Sequence, residues 1–403
     1  VERFIVVLQE QQVTPHPGGE GGAHQVAQSG EIAAGQDPLD ISSSAEDFDT
    51  GRGECIAPCA GEAVIKAFDG IRGRGGEGGQ DRAVETDQAE YTAGETIRAT
   101  VAASYYFGGA VSGATVHWRL LTDDFFFSPD VDGWWDWLDY DLLEDRYYDA
   151  QAEVVTEGEG VLDADGRMTF EVPADLSEVP LSQVFTLDVE VADINNQVVA
   201  GRAGAVVHTS QLYLGLRPTE YVGVAGSPMA FDVMAVDPEG AAVAGQRVDL
   251  TLFERTWYSV REKREDGRFY WTSAYTDTLV NRAAVSTDEA GRAAAEFTPR
   301  GGGVHRLEAV ARDAGGRDAR SATYAWVTDR RFVNWRQENN RRISLVADRK
   351  SYAVGETAEV LVPAPFEGAQ ALVTVERAGI RDARVLRLDG NSETLRIPIG
   401  EDF

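Results

Sequence analysis

The chain has two cysteines, Cys55 and Cys59, with three residues between them in the segment Cys55-Ile-Ala-Pro-Cys59. An isolated pair at this spacing predicts a small-loop disulfide in an oxidising compartment. Such a disulfide would add only about 2 kcal/mol, because a short loop removes little unfolded-state entropy. Two free thiols are the alternative. Zinc is disfavoured because two thiolates need further ligands, and the nearest histidines, His16 and His24, lie in a stretch without apolar periodicity.

Residues 122–148, TDDFFFSPDVDGWWDWLDYDLLEDRYY, are the second candidate for chemistry. Carboxylate oxygens from these aspartates could coordinate calcium, although the spacing does not match the helix-loop-helix calcium pattern. The aromatic side chains could instead form a contact surface for a partner: Phe125, Phe126, Phe127, Trp134, Trp135 and Trp137. The favoured prediction is an insertion whose rings pack on its own domain while the acids face solvent. Deleting the insertion should then leave that domain folded.

The sequence contains no recognisable catalytic constellation. It has no Gly-x-Ser-x-Gly motif, and the glycine-rich residues 73–79 lack the lysine of a phosphate-binding loop. His117 and His208 lie on expected strands, and His305 follows three glycines. A histidine on a strand is more often structural than catalytic. We therefore expect no enzyme, no metal centre and no cofactor.

Repeated motifs indicate the elements that must position these residues. The motif Asp-x-x-x-Tyr-x-x-Gly-Glu-Thr begins at Asp87 and again at Asp348, and Asp-x-x-Gly-Arg begins at Asp163 and again at Asp288. The second pair of motifs lies 125 residues apart (288 − 163), and the first pair lies 261 residues apart (348 − 87), about twice that distance. A period near 125 residues is the size of a domain and not of a solenoid repeat. Domains in tandem are therefore expected.

Short runs of alternating apolar and polar residues predict strands, with turn residues between them. For one domain the candidates are residues 97–104, 115–121, 152–156, 168–172, 185–192 and 203–208. Strands this short and this numerous predict an all-β chain of tandem immunoglobulin-like β-sandwich domains with loop insertions.

The domain boundaries follow from shifts in composition. Residues 1–84 are expected to be a partial domain, with a disordered Gly-, Ser- and acid-rich loop at about 14–53. Residues 85–208 and 209–329 are expected to be complete sandwiches, the first carrying the insertion at 122–148. A connector at 330–342 precedes the N-terminal part of a further domain at 343–403. We expect the chain to be a fragment of a larger protein.

The connector is rich in arginine and contains two aromatic residues. Exposed arginines would suit a trypsin-like protease: Arg330, Arg331, Arg336, Arg341 and Arg342. The favoured alternative is an ordered bridge, with Phe332 and Trp335 packed between domains.

Several segments resemble bacterial alpha-2-macroglobulins. They are residues 352–366, YAVGETAEVLVPAPF, their continuation at 371–377, the turn at 390–392, the run at 397–399, and residues 104–111. The resemblance covers about residues 82–403 well and residues 1–81 weakly. These motifs are structural, so they specify a family better than an activity. The resemblance implies tandem macroglobulin-like β-sandwiches in a large periplasmic, cell-surface or extracellular protein, with lipid anchoring of the parent left open.

A member of that family is cleaved by a protease in a bait segment and then entraps the protease. The implied partners are proteases, through the full-length parent, and other domains of the same chain. The family's thioester needs a Cys and a Gln with two residues between them, and no such pair exists here. The resemblance therefore implies a structural, non-catalytic segment of a protease-trapping inhibitor, without bait or thioester.

Charge and hydropathy exclude other partners. The net charge of −30 disfavours nucleic acid and anionic membrane surfaces, which need a basic footprint. The sequence has no apolar run of about 18 residues that would span a membrane.

The alternative function is a cell-surface tandem immunoglobulin-like adhesin or stalk. That alternative predicts near-identical domains, whereas these domains differ in their middle segments.

Overall fold

The computed structural model describes residues 3–9, 27–33, 80–105, 109–143, 153–194, 198–263, 267–339, 342–376 and 379–401. Within these ranges the regular elements are strands, apart from one 3-10 helix at Tyr140–Leu143. The prediction of an all-β chain is confirmed. The first two strands in the chain are β1 (Arg3–Gln9) and β2 (Ala27–Ala33).

The first sandwich contains eight strands: β3 (Gln80–Thr86), β4 (Glu90–Thr92), β5 (Thr96–Tyr105), β6 (Thr115–Asp124), β7 (Glu153–Val161), β8 (Arg167–Pro173), β9 (Gln183–Ala192) and β10 (Val198–His208). A three-stranded sheet in the order β3-β5-β8 faces a five-stranded sheet in the order β4-β10-β9-β6-β7. The alternating residues of β5 and β9 bury one face of each strand. Trp118 and Phe170 stack between the sheets, with ring centroids 4.6 Å apart, and both contact the two buried clusters of this sandwich.

The second sandwich repeats this plan with β11 (Tyr213–Pro218), β12 (Val222–Val224), β13 (Met229–Val236), β14 (Arg247–Lys263), β15 (Phe269–Ser286), β16 (Arg292–Phe297), β17 (Gly303–Arg312) and β18 (Asp318–Thr328). Its sheets have the orders β11-β13-β16 and β12-β18-β17-β14-β15. The strand β17 pairs with β14 only as far as Arg255, whereas β15 continues beside β14 to Lys263. Residues 256–263 and 269–276 therefore form a two-stranded hairpin that extends beyond the sandwich, and we call this hairpin the arm.

The third sandwich combines the two ends of the chain. Its C-terminal strands are β19 (Arg342–Ile343), β20 (Val346–Ala347), β21 (Thr357–Pro363), β22 (Gln370–Glu376), β23 (Ile380–Arg387) and β24 (Ser392–Pro398). The sheets have the orders β20-β21-β24 and β19-β2-β1-β22-β23. The strand β1 pairs antiparallel with both β2 and β22, in the position that β9 and β17 occupy in the other two sandwiches.

This pairing bears on the predictions for residues 1–84. Residues 27–33 fall in the loop predicted to be disordered, yet they form β2, because β1 supplies a ladder of backbone partners that composition does not reveal. That part of the prediction is wrong. Both strands join the third sandwich, and the rest of the expected partial domain, including Cys55 and Cys59, lies outside the described residues apart from β3.

The repeated Asp–Tyr motif forms the same hydrogen bonds in both copies. The Tyr91 hydroxyl donates to Asp87 Oδ1, and the Tyr352 hydroxyl donates to Asp348 Oδ1, at 2.5 Å in each case. The same carboxylate oxygens accept the backbone N–H of Arg98 and of Glu359 in the following strand. The motif therefore fixes the entry to a strand, and its Asp and Tyr side chains are structural.

The Asp-x-x-Gly-Arg motif closes a tight turn. The carboxylate of Asp163 accepts two backbone N–H groups, from Asp165 at 2.9 Å and from Arg167 at 2.8 Å. Gly166 has a φ of 70°, and an added Cβ there would lie 2.5 Å from the carbonyl oxygen of Ala103. Glycine is therefore required, both for the left-handed backbone and for the close approach of the neighbouring strand.

Candidate functional site: a clamp between the first two sandwiches

The described part of the predicted insertion outside β6 is residues 125–143, which we call the insertion. It leaves the first sandwich after β6 and lies along the edge of the second. The backbone N–H of Asp136 donates to the Leu216 carbonyl at 2.8 Å, and the Leu216 N–H donates to the Asp136 carbonyl at 2.9 Å. This isolated antiparallel bridge lies on the open edge of β11 in the three-stranded sheet of the second sandwich. A sheet edge with unpaired backbone groups is a ready template for such an addition.

Aromatic rings of the insertion pack on β11. Phe127 stacks on Tyr213, with ring centroids 3.7 Å apart and planes within 4° of parallel. Trp137 lies against Gly215, where an added Cβ would be 2.8 Å from the indole ring. Glycine in a strand interior often marks such a close approach by another group. This glycine therefore provides the flat surface on which Trp137 rests.

Next along β11, the guanidinium carbon of Arg217 lies 4.2 Å from the centroid of the Trp135 ring. A cation over an indole face contributes about 0.5–2 kcal/mol, depending on how much water is excluded. The aromatic contacts therefore run along most of the length of β11.

The insertion also supplies polar partners to buried hydroxyls of β18. Ser321 and Thr323 have no exposed surface. The Ser321 hydroxyl donates to the backbone carbonyl of Asp136 at 2.9 Å, and the Thr323 hydroxyl donates to the Asp136 carboxylate. A buried hydroxyl without a partner is unfavourable by about 1–3 kcal/mol. Asp136 therefore satisfies groups that belong to the second sandwich.

Beyond Asp136, the insertion crosses to the outer face of the five-stranded sheet, where it joins a buried ion network. Arg255, 4% exposed, makes paired hydrogen bonds to the carboxylates of both Asp141 and Asp277. Arg306, 7% exposed, contacts Asp139, and its Nε lies 3.1 Å from Asp141 Oδ2. Bidentate contacts between arginine and carboxylate are among the stronger ion pairs in proteins. The two arginines belong to the second sandwich, and Asp139 and Asp141 belong to the insertion.

The two carboxylates respond to this environment in opposite directions. Burial raises the pKa of Asp139 and outweighs the nearby charge of Arg306. Burial also opposes ionisation of Asp141, but hydrogen bonds from Arg255 and Tyr324 outweigh it and lower the pKa of that carboxyl. A buried ion pair is not by itself stabilising, but removing one partner is strongly destabilising. The network therefore makes the second sandwich dependent on the insertion.

A smaller polar cluster lies where the first sandwich ends. The Tyr213 hydroxyl lies 2.7 Å from both His208 Nδ1 and Ser182 Oγ. The ring of Phe125 contacts His208 edge-on, with centroids 5.6 Å apart. Burial lowers the pKa of His208 and outweighs the opposing effect of the nearby Glu90 carboxylate. The cluster connects β10 of the first sandwich directly to β11 of the second.

We use the name clamp for the insertion together with these contacts on β11, β14, β17 and β18. The clamp corrects one prediction: the rings were expected to pack on their own sandwich with the acids facing solvent. Instead Phe127, Trp135 and Trp137 pack on the next sandwich, and Asp136, Asp139 and Asp141 supply its buried polar groups. The sequence could not reveal this because the partners of the acids lie more than a hundred residues away.

Among the six predicted contact-surface rings, Phe126 and Trp134 are 60% and 58% exposed. As a surface for another protein, the six remain a prediction. The histidines singled out from the sequence do not form a cluster. His117 Nδ1 lies 3.2 Å from Glu159 Oε1, whereas His208 and His305 are buried elsewhere. In the ranges that the structure describes, no group of three or more His, Cys, Asp or Glu side chains could hold a metal ion.

The residues that sequence reasoning missed are the two arginines and Gly215. The available signal was weak. Arg255 and Arg306 interrupt strands that are otherwise apolar or alternating, at positions where a charged residue needs a buried partner. A glycine within the apolar run of β11 was the other signal.

The connector makes the second junction. Val333 and Trp335 are buried, and the Trp335 indole N–H donates to the backbone carbonyl of Asn391 at 2.8 Å. The Asn391 side chain pairs with the backbone of Val333 at 3.0 and 2.7 Å. The expectation of an ordered bridge is confirmed for Trp335. It is wrong for Phe332, which is 52% exposed, because Val333 and Trp335 occupy the space between the sandwiches.

The chain is similar to several known proteins over parts of its length. Residues 215–326 match the family described as bacterial macroglobulin domain 6. An alpha-2-macroglobulin homolog of Nostoc sp. (strain PCC 7120) is 21% identical over 320 residues, which cover 78% of this chain and 16% of that protein. An alpha-2-macroglobulin of Pasteurella multocida (strain Pm70) is 23% identical over 177 residues, covering 44% of this chain and 9% of that protein.

A cryo-EM structure of native E. coli alpha-2-macroglobulin aligns with 100% of this chain and 25% of that chain, at 14% identity and a TM-score of 0.43. The matched regions make up only a small part of the curated relatives: 16% of the Nostoc protein and 9% of the Pasteurella multocida protein. The structure contains no helix, within the residues it describes, that is long and apolar enough to cross a membrane.

Proposed function

We propose that this chain is a structural segment of a protease-trapping inhibitor, because it is similar in sequence to bacterial alpha-2-macroglobulins and residues 215–326 match the family described as bacterial macroglobulin domain 6. In this role the segment performs no catalysis. The partners are proteases, which the full-length parent would trap, and the other domains of the same chain. The parent would act in the periplasm, at the cell surface or outside the cell.

The observation that carries the proposal is the clamp. Sandwiches joined only by short linkers are expected to move relative to one another. Here the first sandwich lends a backbone bridge, three packed rings, the buried carboxylate of Asp139 and the half-buried carboxylate of Asp141 to the second. Two sandwiches fixed in this way form one rigid part, as the wall of a trap around another protein requires.

The experiment uses the full-length parent protein and trypsin. A trapped protease is shielded from large substrates, while small ones still reach its active site. We expect the parent to abolish trypsin cleavage of a large protein substrate and to leave cleavage of a small chromogenic peptide largely intact. Loss of both activities would mean ordinary active-site inhibition, and loss of neither would favour the adhesin or stalk. Either result would overturn the proposal.

A clamp variant links this assay to the structure. Trp137→Ala removes the ring that rests on Gly215 and should reduce protection, because the two sandwiches lose their fixed orientation. Phe269→Ala is the matched control, since Phe269 is a 56% exposed ring on the arm. The control should protect as well as the wild type. Equal protection by both variants would show that the clamp has no part in trapping.

A further inference from the structure

A cavity of about 610 Å³ lies beside the clamp. Its lining comes mainly from the insertion, from residues 180–182 before β9 of the first sandwich, from β11 and the start of β18 in the second, and from Lys350 in the third. Small-molecule sites in proteins have volumes of about 300–1,000 Å³ and mainly apolar or aromatic walls. The cavity therefore has the size of a small-molecule site.

Aromatic side chains make up much of the lining. Phe126 and Trp134 both line the cavity, and both leave more than half of their surface in solvent. Phe127, Trp135 and Trp137 pack on β11, whereas Phe126 and Trp134 leave apolar surface open to a ligand. Exposed aromatic rings that share a concave surface are characteristic of binding sites.

The acidic side chains of the lining already have partners. They are Asp136 and Asp318 among the residues that the structure describes. The Asp136 carboxylate accepts the hydroxyl of Thr323, and Asp318 Oδ1 lies 2.9 Å from Arg312 Nε. Both carboxylates would repel an anion. A negatively charged ligand is therefore disfavoured.

The basic side chains of the lining are engaged as well. Arg320 Nη1 lies 3.0 Å from Glu308 Oε2, and Lys350 has a partner of its own. The Lys350 ammonium group also lies 5.1 Å from the centroid of the Tyr221 ring and 6.0 Å from that of Trp134. This positive charge beside the rings would repel a cationic ligand. A ligand of either charge would have to displace an existing partner or stay unpaired, and an unpaired charge in an apolar site is unfavourable.

We propose that this cavity binds an uncharged aromatic small molecule, which packs its ring system on Phe126 and Trp134. Such a ligand would contact the insertion and the second sandwich together. It would therefore stabilise the clamp, because a ligand that binds one state favours that state. The proposal does not depend on protease trapping, and its test requires only the chain itself.

The test uses the fluorescent probe N-phenyl-1-naphthylamine, which is uncharged at neutral pH. Titration of the complete 403-residue chain should give one saturable site. Absence of saturable binding, or many equivalent weak sites, would overturn the proposal.

Competitors with one ring system then test the charge of the ligand: 1-naphthalenemethanol, 1-naphthalenemethylammonium and 1-naphthoate. The uncharged alcohol should displace the probe at a concentration about tenfold lower than either ion, because each ion would lie in the cavity without a free partner. Displacement by the cation or the anion at a concentration as low as that of the alcohol would overturn the proposal of an uncharged ligand.

Variants locate the probe in the cavity. Trp134→Ala should weaken probe binding about tenfold, because it removes an aromatic contact. Lys350→Gln should not weaken probe binding, because an uncharged ring system needs no cation. Phe269→Ala, which removes a 56% exposed ring of the arm, is the matched control and should bind the probe like the wild type.

Thermal melting by circular dichroism verifies that each variant is folded, and Phe126→Ala, with the same expected result, replaces Trp134→Ala if that variant does not melt cooperatively. Equal affinities in the cavity-ring variant and the arm control would show that the probe binds elsewhere and would overturn the proposal. A loss of affinity in Lys350→Gln as large as that in the cavity-ring variant would also overturn it.

Discussion

The insertion and the arm extend from the same place in two successive sandwiches. The insertion follows β6 in the segment between β6 and β7, the arm is the extended end of β14 and β15, and these strand pairs hold equivalent positions in the five-stranded sheets. Each reaches the next part of the chain. The insertion contacts the second sandwich, and the arm contacts the connector through Ser259, Ser273 and Trp271.

The two contacts differ in their chemistry. The insertion buries charged groups and pairs with a sheet edge, whereas the contacts of the arm include neutral hydrogen bonds and a cation over a ring, Arg336 at 4.8 Å from the centroid of Trp257. Several residues of the arm, including Tyr258 and Val260, stay more than half exposed. The same topological position can therefore produce an extensive interface or a small one, depending on how much surface the inserted segment buries.

Arg306→Leu should have the largest effect on this comparison. It leaves the Asp139 carboxylate, 2% exposed, without its cation, and removing one partner of a buried pair destabilises by about 3–5 kcal/mol. Urea unfolding measures the loss. The control Arg98→Leu removes a surface pair with Glu171, whose side chains are 60% and 55% exposed, and should leave the unfolding midpoint unchanged. Similar midpoints for the two variants would mean that the buried network is not needed.

Gly215→Ala should have the next largest effect. The new methyl group would lie 2.8 Å from the Trp137 ring, so the ring must move and the clamp loosens, with a loss of about 1–3 kcal/mol. Gly204→Ala is the matched control in a strand of the first sandwich, where the nearest atom to an added Cβ is 3.8 Å away. Tryptophan fluorescence and thermal melting report both changes. An unchanged tryptophan fluorescence spectrum in Gly215→Ala would contradict the contact between Trp137 and Gly215.

Acid should weaken the insertion contact and leave the arm contact unaffected. The pKa of Asp141 is lowered in the folded state, so its contribution to stability is present above its ordinary pKa of 3.8 and is lost as the pH falls through the lowered folded value. The raised pKa of Asp139 acts in the opposite sense, because that carboxyl takes up its proton more readily in the folded protein.

The measurement for this prediction is urea unfolding of the wild type and Asp141→Asn at pH 7 and again well below pH 3.8. The stability difference between the two proteins should shrink in acid. The difference between the wild type and Ser273→Ala, which alters the neutral arm contact, should stay constant. A constant difference for Asp141→Asn would show that its charge does not hold the clamp.

Ser273→Ala should have the smallest effect. It removes the hydrogen bond from the Ser273 hydroxyl to the Gln337 carbonyl, 3.0 Å long, and a single bond of this kind contributes about 1 kcal/mol. The connector should then detach from the arm more often, so limited trypsin digestion should cleave after Arg336 a few times faster. Thr276→Ala, on the opposite face of the hairpin, is the control and should cleave at the wild-type rate.

Local patterns in the sequence predicted much of the fold. The strand candidates at 97–104 and 115–121 lie within β5 and β6, and the repeated motifs form turns whose hydrogen bonds span only a few residues. Such contacts are encoded by neighbours in the chain, so alternation and turn residues are enough to find them. The candidate site was predicted only in part. The sequence identified the insertion but not the sandwich on which it packs.

The sandwich on which the insertion packs is decided by residues that are distant from it in sequence. Its composition, aromatic rings interleaved with aspartates, would fit its own sandwich or a neighbouring one. Which sandwich it packs on depends on Gly215, on the open edge of β11 and on two buried arginines elsewhere in the chain. The placement of β1 beside β22 is of the same kind, because any strand with a suitable face can complete an open sheet.

By itself the sequence determined that this chain folds into successive β-sandwiches with tight, motif-encoded turns, because those features depend on residues within a few positions of one another. Only the tertiary structure decided that the acidic, aromatic insertion completes the second sandwich. That outcome depends on burying the charges of Arg255 and Arg306 beside Asp139 and Asp141, which are distant in sequence and meet only when the sandwiches are assembled.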